Sequence, residues 1–316
     1  MAHSVLKLTK DQISRLEDTY KSFLQDTVPQ GGQFVAKVDG CTITAYRSGK
    51  VLFQGATAEQ ESAKWSGEQV QSRPASEKRK RKTHNHLPPE TISSMSIIGS
   101  DEVGTGDFFG PITVVSAYVS KQQIPLVQEL GVKDSKLLKD PQIIEIAKDL
   151  LKVIPFSLMV LHNEKYNELQ SKGMTQGKMK AMLHRRAIEN VMTKLPEGSV
   201  VDGVLIDQFC EPGVYFRHTK TNAKASPVPY FFETKAETIH VSVAAASIIA
   251  RYAFLKKMDE LSKKTGVIIP KGAGQQVDEA AAKIILKQGK TYLNNITKAH
   301  FANTTKALKL AEKKRK

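Results

Sequence analysis

Two adjacent carboxylates, Asp101 and Glu102, close the apolar run Ile97-Ile98-Gly99-Ser100, and the turn Val103-Gly104-Thr105-Gly106-Asp107-Phe108-Phe109-Gly110-Pro111 follows them. Acids at a strand end cost folding free energy unless they are solvated, paired or bound to a cation. The segment carries no basic residue to pair with them. Asp207 ends a second apolar run, Val204-Leu205-Ile206. Glu237 stands at the start of an Ala-rich helical stretch that includes Ala244-Ala245-Ala246-Ser247-Ile248-Ile249-Ala250, where a helix dipole favours negative charge. If the two strands are neighbours and that helix crosses their ends, Asp101, Glu102, Asp207 and Glu237 converge on one point. Clustered carboxylates repel, and a hard divalent cation such as Mg²⁺ or Mn²⁺ relieves the repulsion through oxygen ligands while keeping positions for water and phosphate. Two such ions can activate a water and stabilise the leaving oxygen of a phosphodiester. No Cys or His cluster with zinc spacing is present, which turns the reading away from zinc chemistry.

Each acid also has a plainer account. A single Asp at a strand end commonly forms a turn or caps a helix, and a helix-start charge suffices for Glu237 taken alone. The adjacent pair leading into a glycine turn is harder to explain that way. Asp107 reads as a turn or cap residue and is left out of the site. The pattern Gly104-Thr105-Gly106-Asp107-Phe108-Phe109-Gly110 misses the dinucleotide-binding spacing by one residue, and the two preceding carboxylates would repel a pyrophosphate. Glycines there suit close approach of backbone N–H groups to a nucleic-acid strand, and such contacts can sense a ribose 2′-OH.

The elements that must position these residues fall into two parts. Residues 1–65 predict a small α+β unit. Thr9 and Gln12 form a capping box ahead of a helix over 10–25, three short strands follow around 34–38, 42–46 and 51–53, and a helix over 57–65 closes it. Residues 66–90 lack hydrophobic periodicity and predict a flexible basic linker containing Lys78-Arg79-Lys80-Arg81-Lys82, either a solvated tether or a nonspecific phosphate contact. Residues 91–316 alternate strand and helix, which predicts an α/β domain with a mixed sheet and flanking helices. A long helix is expected over 237–264, and helical segments near 277–287 and 297–314 finish the chain.

The chain has 316 residues and a formal charge of +15, which points to a polyanionic partner. No apolar run reaches the length of a membrane span and no signal-peptide pattern opens the chain, so a soluble cytoplasmic protein without membrane contact is expected. A monomer is the default. Cys41 and Cys210 are read as thiols rather than a disulfide.

The sequence resembles the type 2 ribonucleases H, and its full architecture is similar to the ribonuclease HIII branch. The resemblance lies in Asp101-Glu102-Val103-Gly104-Thr105-Gly106-Asp107 with Phe109-Gly110-Pro111, in Lys133-Asp134-Ser135-Lys136, in Leu205-Ile206-Asp207-Gln208-Phe209, and in Thr234-Lys235-Ala236-Glu237 leading to Ala244 through Arg251. It implies a ribonuclease H fold and Asp101, Glu102, Asp207 and Glu237 as catalytic metal ligands for Mg²⁺ or Mn²⁺. It also implies hydrolysis of the RNA strand of RNA/DNA hybrids to 5′-phosphate and 3′-hydroxyl ends. Gly104, Thr105 and Gly106 would contact the strand that is cut, and the first unit would be a TATA-binding-protein-like domain that grips the hybrid. Lys136 is either a phosphate contact or a solvated charge. A junction resolvase of related fold and a noncatalytic nucleic-acid-binding protein are the rival readings.

Overall fold

The computed structural model describes residues 3–29, 31–66, 84–132, 138–221 and 226–315. The basic run 78–82 and the 133–136 motif with Lys136 lie outside them. The chain divides into two compact units, Met1–Thr83 and His84–Lys316.

In the first unit an antiparallel sheet of order β1-β4-β3-β2 is built from β1 (His3–Lys7), β2 (Gly32–Val38), β3 (Cys41–Tyr46) and β4 (Lys50–Gln54). Two helices accompany it, α1 (Lys10–Thr19) and α2 (Ala58–Ser66). The expected capping box of Thr9 and Gln12 starts α1, but the helix stops at Thr19 and a 3-10 turn, Lys21–Phe23, takes over. The edge strand β1 has no strong sequence signature, and its pairing with β4 defines it.

The second unit holds a five-stranded mixed sheet, β7-β6-β5-β8-β9. Its strands are β5 (Ile97–Val103), β6 (Ile112–Val119), β7 (Phe156–Leu161), β8 (Gly203–Asp207) and β9 (Tyr230–Glu233). The first three in chain order pair antiparallel, whereas β8 and β9 join parallel to β5. Every residue of β6 is buried, as a strand covered on both faces requires.

The helices of this unit are α3 (Ile124–Glu129), α4 (Asp140–Val153), α5 (Asn163–Ser171), α6 (Gln176–Met192), α7 (Pro212–Thr219), α8 (Val241–Thr265), α9 (Gln275–Ile296) and α10 (Ala302–Arg315). On one sheet face Val115, Ala117 and Val119 pack with Ala244–Ala246, Ile248 and Ile249 of α8, and Ile97 and Leu205 meet Val243. On the other face Ile98, Val204 and Ile206 pack with Ala181, Ile188 and Val191 of α6. Small residues let α8 lie close to the sheet. A Cβ on Gly99 would fall 2.3 Å from the Ser242 carbonyl carbon, so only glycine fits beneath the helix start.

Two further expectations change. Glu237 does not begin the long helix. It sits on a separate 3-10 turn, Ala236–Thr238, and α8 starts only after the cap His240, whose side chain accepts from Ser242 N. Residues 84–90, read as linker, are partly docked, since Phe232 N donates to His86 O at 2.9 Å and His86 packs against Phe216 and Phe232.

Candidate active site

Strands β5 and β8 are parallel neighbours in register Ser100 with Ile206, so Asp101 and Asp207 stand side by side one residue further on. Because side chains alternate along a strand, Asp101 and Asp207 follow Gly99 and Leu205 onto the α8 face, while Glu102 follows Ile98 and Ser100 onto the α6 face. Asp101 is 8% exposed and accepts from Glu102 N at 2.7 Å and from the Ser247 hydroxyl on α8. Burial, and then the charges of Glu102 and Asp207, hold its carboxyl well above the usual carboxylate range.

Glu237 reaches the same region through a tight turn after β9. Lys235 adopts the left-handed region at φ 58°, an uncommon conformation for a side-chain-bearing residue. That bend aims Ala236 N at Asp207 Oδ1, 2.9 Å away, and delivers the buried Glu237 next to this contact.

Glu102 is held by residues that the sequence reading did not single out. Lys180 Nζ donates to its Oε1 at 2.8 Å, and His184 Nε2 lies 2.9 Å from Oε2. An ionised Glu102 only accepts, so Nε2 carries the hydrogen between them, and Nδ1 faces Ser100 Oγ at 2.7 Å. Burial alone would raise the Glu102 carboxyl, but His184 and then Lys180 bring it below its ordinary value. Phe209 covers the group, stacked on the His184 ring at 4.9 Å and 4.2 Å from the Lys180 ammonium. Gln176, Lys180 and His184 recur every fourth residue on α6. Gln176 donates to Thr105 O, so this helical stripe meets Thr105, Glu102 and Ser100 in turn.

The turn after β5 has its own constraints. Gly104 is at φ +96°, and a Cβ there would come within 2.3 Å of Pro111 O. Gly106 faces open space. The Asp107 side chain makes a long-range tie rather than a local turn or cap contact, its Oδ1 accepting from Gly272 N at 2.6 Å. The buried Phe108 and Phe109 anchor its far end.

As these side chains stand, no three described His, Cys, Asp or Glu groups already surround one ion-sized point. Alternation along β5 puts Glu102 on the opposite face from Asp101 and Asp207. The donor set still fits a hard divalent ion: all the candidate ligands are carboxylates, and Glu102 and Asp207 lie close enough for their charges to act on Asp101. Lys180 meanwhile supplies positive charge to Glu102.

Residues 98–304 match the family model described as Ribonuclease HII, and residues 3–79 match a domain of unknown function, DUF3378. Ribonuclease HIII of Bacillus subtilis (strain 168) is 58% identical over 315 residues, covering 100% of both chains. Ribonuclease HIII of Bacillus pumilus (strain SAFR-032) is 58% identical over 309 residues, covering 98% of this chain and 99% of that one. A crystal structure of Bst-RNase HIII in complex with Mn²⁺ is 43% identical and superposes with a TM-score of 0.68 over 99% of this chain and 100% of that one. The chain belongs to the ribonuclease HII family and, within it, to the ribonuclease HIII branch. Its fold is accordingly the mixed α/β fold of that family.

Proposed function

We propose that this protein is an endoribonuclease that hydrolyses the RNA strand of RNA/DNA hybrids, with Asp101, Glu102, Asp207 and Glu237 holding Mg²⁺ or Mn²⁺. The observation that carries the reading is the placement of Asp101 and Asp207 one residue beyond the paired Ser100 and Ile206, close enough for the charge of Asp207 to act on Asp101, with Ala236 N, next to Glu237, bonded to Asp207, inside a family of ribonucleases. Two divalent ions, when bound, supply an activated water and stabilisation of the leaving oxygen. The residues do the rest. Ser247 and the Glu102 amide orient Asp101, Ala236 N orients Asp207, and Lys180 with His184 orients Glu102. Backbone groups of Gly104, Thr105 and Gly106 face the strand bearing the 2′-OH, and cleavage leaves 5′-phosphate and 3′-hydroxyl ends. Lys136 is a candidate phosphate contact.

The division into 1–65, 66–90 and 91–316 assigns hybrid gripping to the first unit, as a TATA-binding-protein-like domain, and chemistry to the last. All four acids come from one chain, so a monomer suffices. No described helix is long and apolar enough to cross a membrane. The unbridged Cys41 and Cys210 fit work in the reducing cytoplasm. The test is incubation of end-labelled RNA/DNA hybrid, DNA duplex and DNA junction with the enzyme and Mg²⁺ or Mn²⁺. Cutting confined to RNA with 3′-hydroxyl ends supports the proposal, and cutting of the DNA strand or junction refutes it.

A further inference from the structure

Beneath the glycine turn lies a lysine shut off from water. Lys298, between α9 and α10, is 0% exposed. Its Nζ donates to the carbonyl oxygens of Asp107 at 2.7 Å and Gly110 at 2.8 Å, and sits 5.9 Å from the Tyr166 ring centroid. These hydrogen bonds go to dipoles rather than to a carboxylate. Burial therefore pushes the ammonium down to about 8, with the charge of Asp107 opposing it only in part. A buried ammonium is an expensive way to fill space that a methionine would fill without desolvating a charge.

The local fold has other ties. Lys298 N donates to Phe108 O at 2.8 Å, Phe108 N to Gly272 O at 2.9 Å, Gly110 N to Ile296 O at 3.0 Å, and Asn163 Nδ2 to Gly110 O at 2.9 Å. They secure Phe108 to Gly110. What the ammonium adds is a grip on the carbonyl of Asp107, the residue that ends the Gly104–Asp107 turn. The bond closing that turn, Asp107 N to Gly104 O, is long at 3.4 Å.

We propose that Lys298 is a positioning residue for this turn: by tying the Asp107 and Gly110 carbonyls together from below, it holds Thr105 and Gly106 in fixed relation to Glu102, ready to meet a nucleic-acid strand. The inference rests on reading the turn as the strand-contacting part of the site.

The test uses full-length K298M with Mn²⁺. The expected result is a kcat on hybrid lowered about tenfold to a hundredfold, as for a misplaced contact, with KM changed by no more than about threefold. The melting midpoint stays within a few degrees of wild type or rises. Amide exchange at Thr105, Gly106 and Asp107 quickens by about tenfold while β6 amides keep their protection. Wild-type kcat together with wild-type exchange at those amides overturns the proposal. Exchange reads the turn without cleavage, so failure of the four-acid reading, which an active D101N would reveal, is a separate outcome. Should K298M not fold, ¹⁵N-lysine spectra of the wild type decide. The Lys298 ammonium, assigned through its proximity to the Tyr166 ring, shifts when hybrid is added in EDTA, and a signal that hybrid leaves unmoved overturns the proposal.

Discussion

Acid should loosen the start of α8 through one buried histidine. His240 is 3% exposed, and its hydrogen bonds fit the neutral ring alone. Nδ1 accepts from Ser242 N at 3.0 Å and lies 2.7 Å from Ser242 Oγ, while Nε2 meets Met95 O at 3.1 Å and so carries the hydrogen. Protonating Nδ1 destroys the cap, and burial pushes the ring down to about 4 from an ordinary 6.5. Because the folded value is depressed, the unfolded chain binds the extra proton first. The stabilisation is therefore present above about pH 6.5 and is lost as pH falls through about 4. At about 1.4 kcal/mol per pH unit, that interval corresponds to roughly 3 kcal/mol. The comparison is H240N, since asparagine is a good cap acceptor that does not titrate. Urea unfolding is followed by far-UV circular dichroism, because the single tryptophan, Trp65, reports the first unit. At pH 8 H240N should be less stable by about 1–2 kcal/mol, for the lost Met95 bond and ring packing. By pH 4.5 the order should reverse, because the wild type has by then lost about 2.5 kcal/mol, more than the initial gap, while H240N has not. A constant gap from pH 8 to 4.5 would refute the assignment.

Other substitutions separate fold from chemistry. D101N, E102Q, D207N and E237Q should each lower kcat roughly a thousandfold or more while the protein stays folded, as steady-state cleavage and circular dichroism will show. G104A should destabilise by about 2 kcal/mol or more, given its φ of +96° and the clash with Pro111 O, whereas G106A meets nothing within 4 Å and should melt like wild type. H184A leaves Glu102 and Ser100 without their shared partner in a buried setting and should cost about 3 kcal/mol in denaturant titrations, with a matching loss of cleavage. EDTA should abolish cleavage and added Mn²⁺ should restore it.

Much of this site could be read from residue order. The apolar runs ending in Asp101 and Asp207 announced two strands with acids at their ends, and their pairing followed. What local pattern did not convey was which helix covers which face. Period-two alternation already implies that Asp101 and Glu102 point apart, but it becomes consequential only once α8 and α6 take opposite faces. The same choice makes Lys180 and His184 partners of Glu102. Their four-residue spacing was visible in the sequence, yet nothing local said that β5 lay opposite. Glu237 looked like a helix start because histidine is an uncommon cap, so the break at His240 carried no familiar signal. Lys298 was silent for a related reason: its role comes from a turn nearly two hundred residues away in the chain.

The central claim is that acids distant in sequence share divalent ions. The direct measurement is anomalous diffraction at the manganese edge from crystals soaked in Mn²⁺. Density bounded by Asp101, Glu102, Asp207 and Glu237 is expected, with carboxylate oxygens from all four as ligands. Manganese held elsewhere, or a site in which Glu102 or Glu237 makes no contact with the ion, would contradict it.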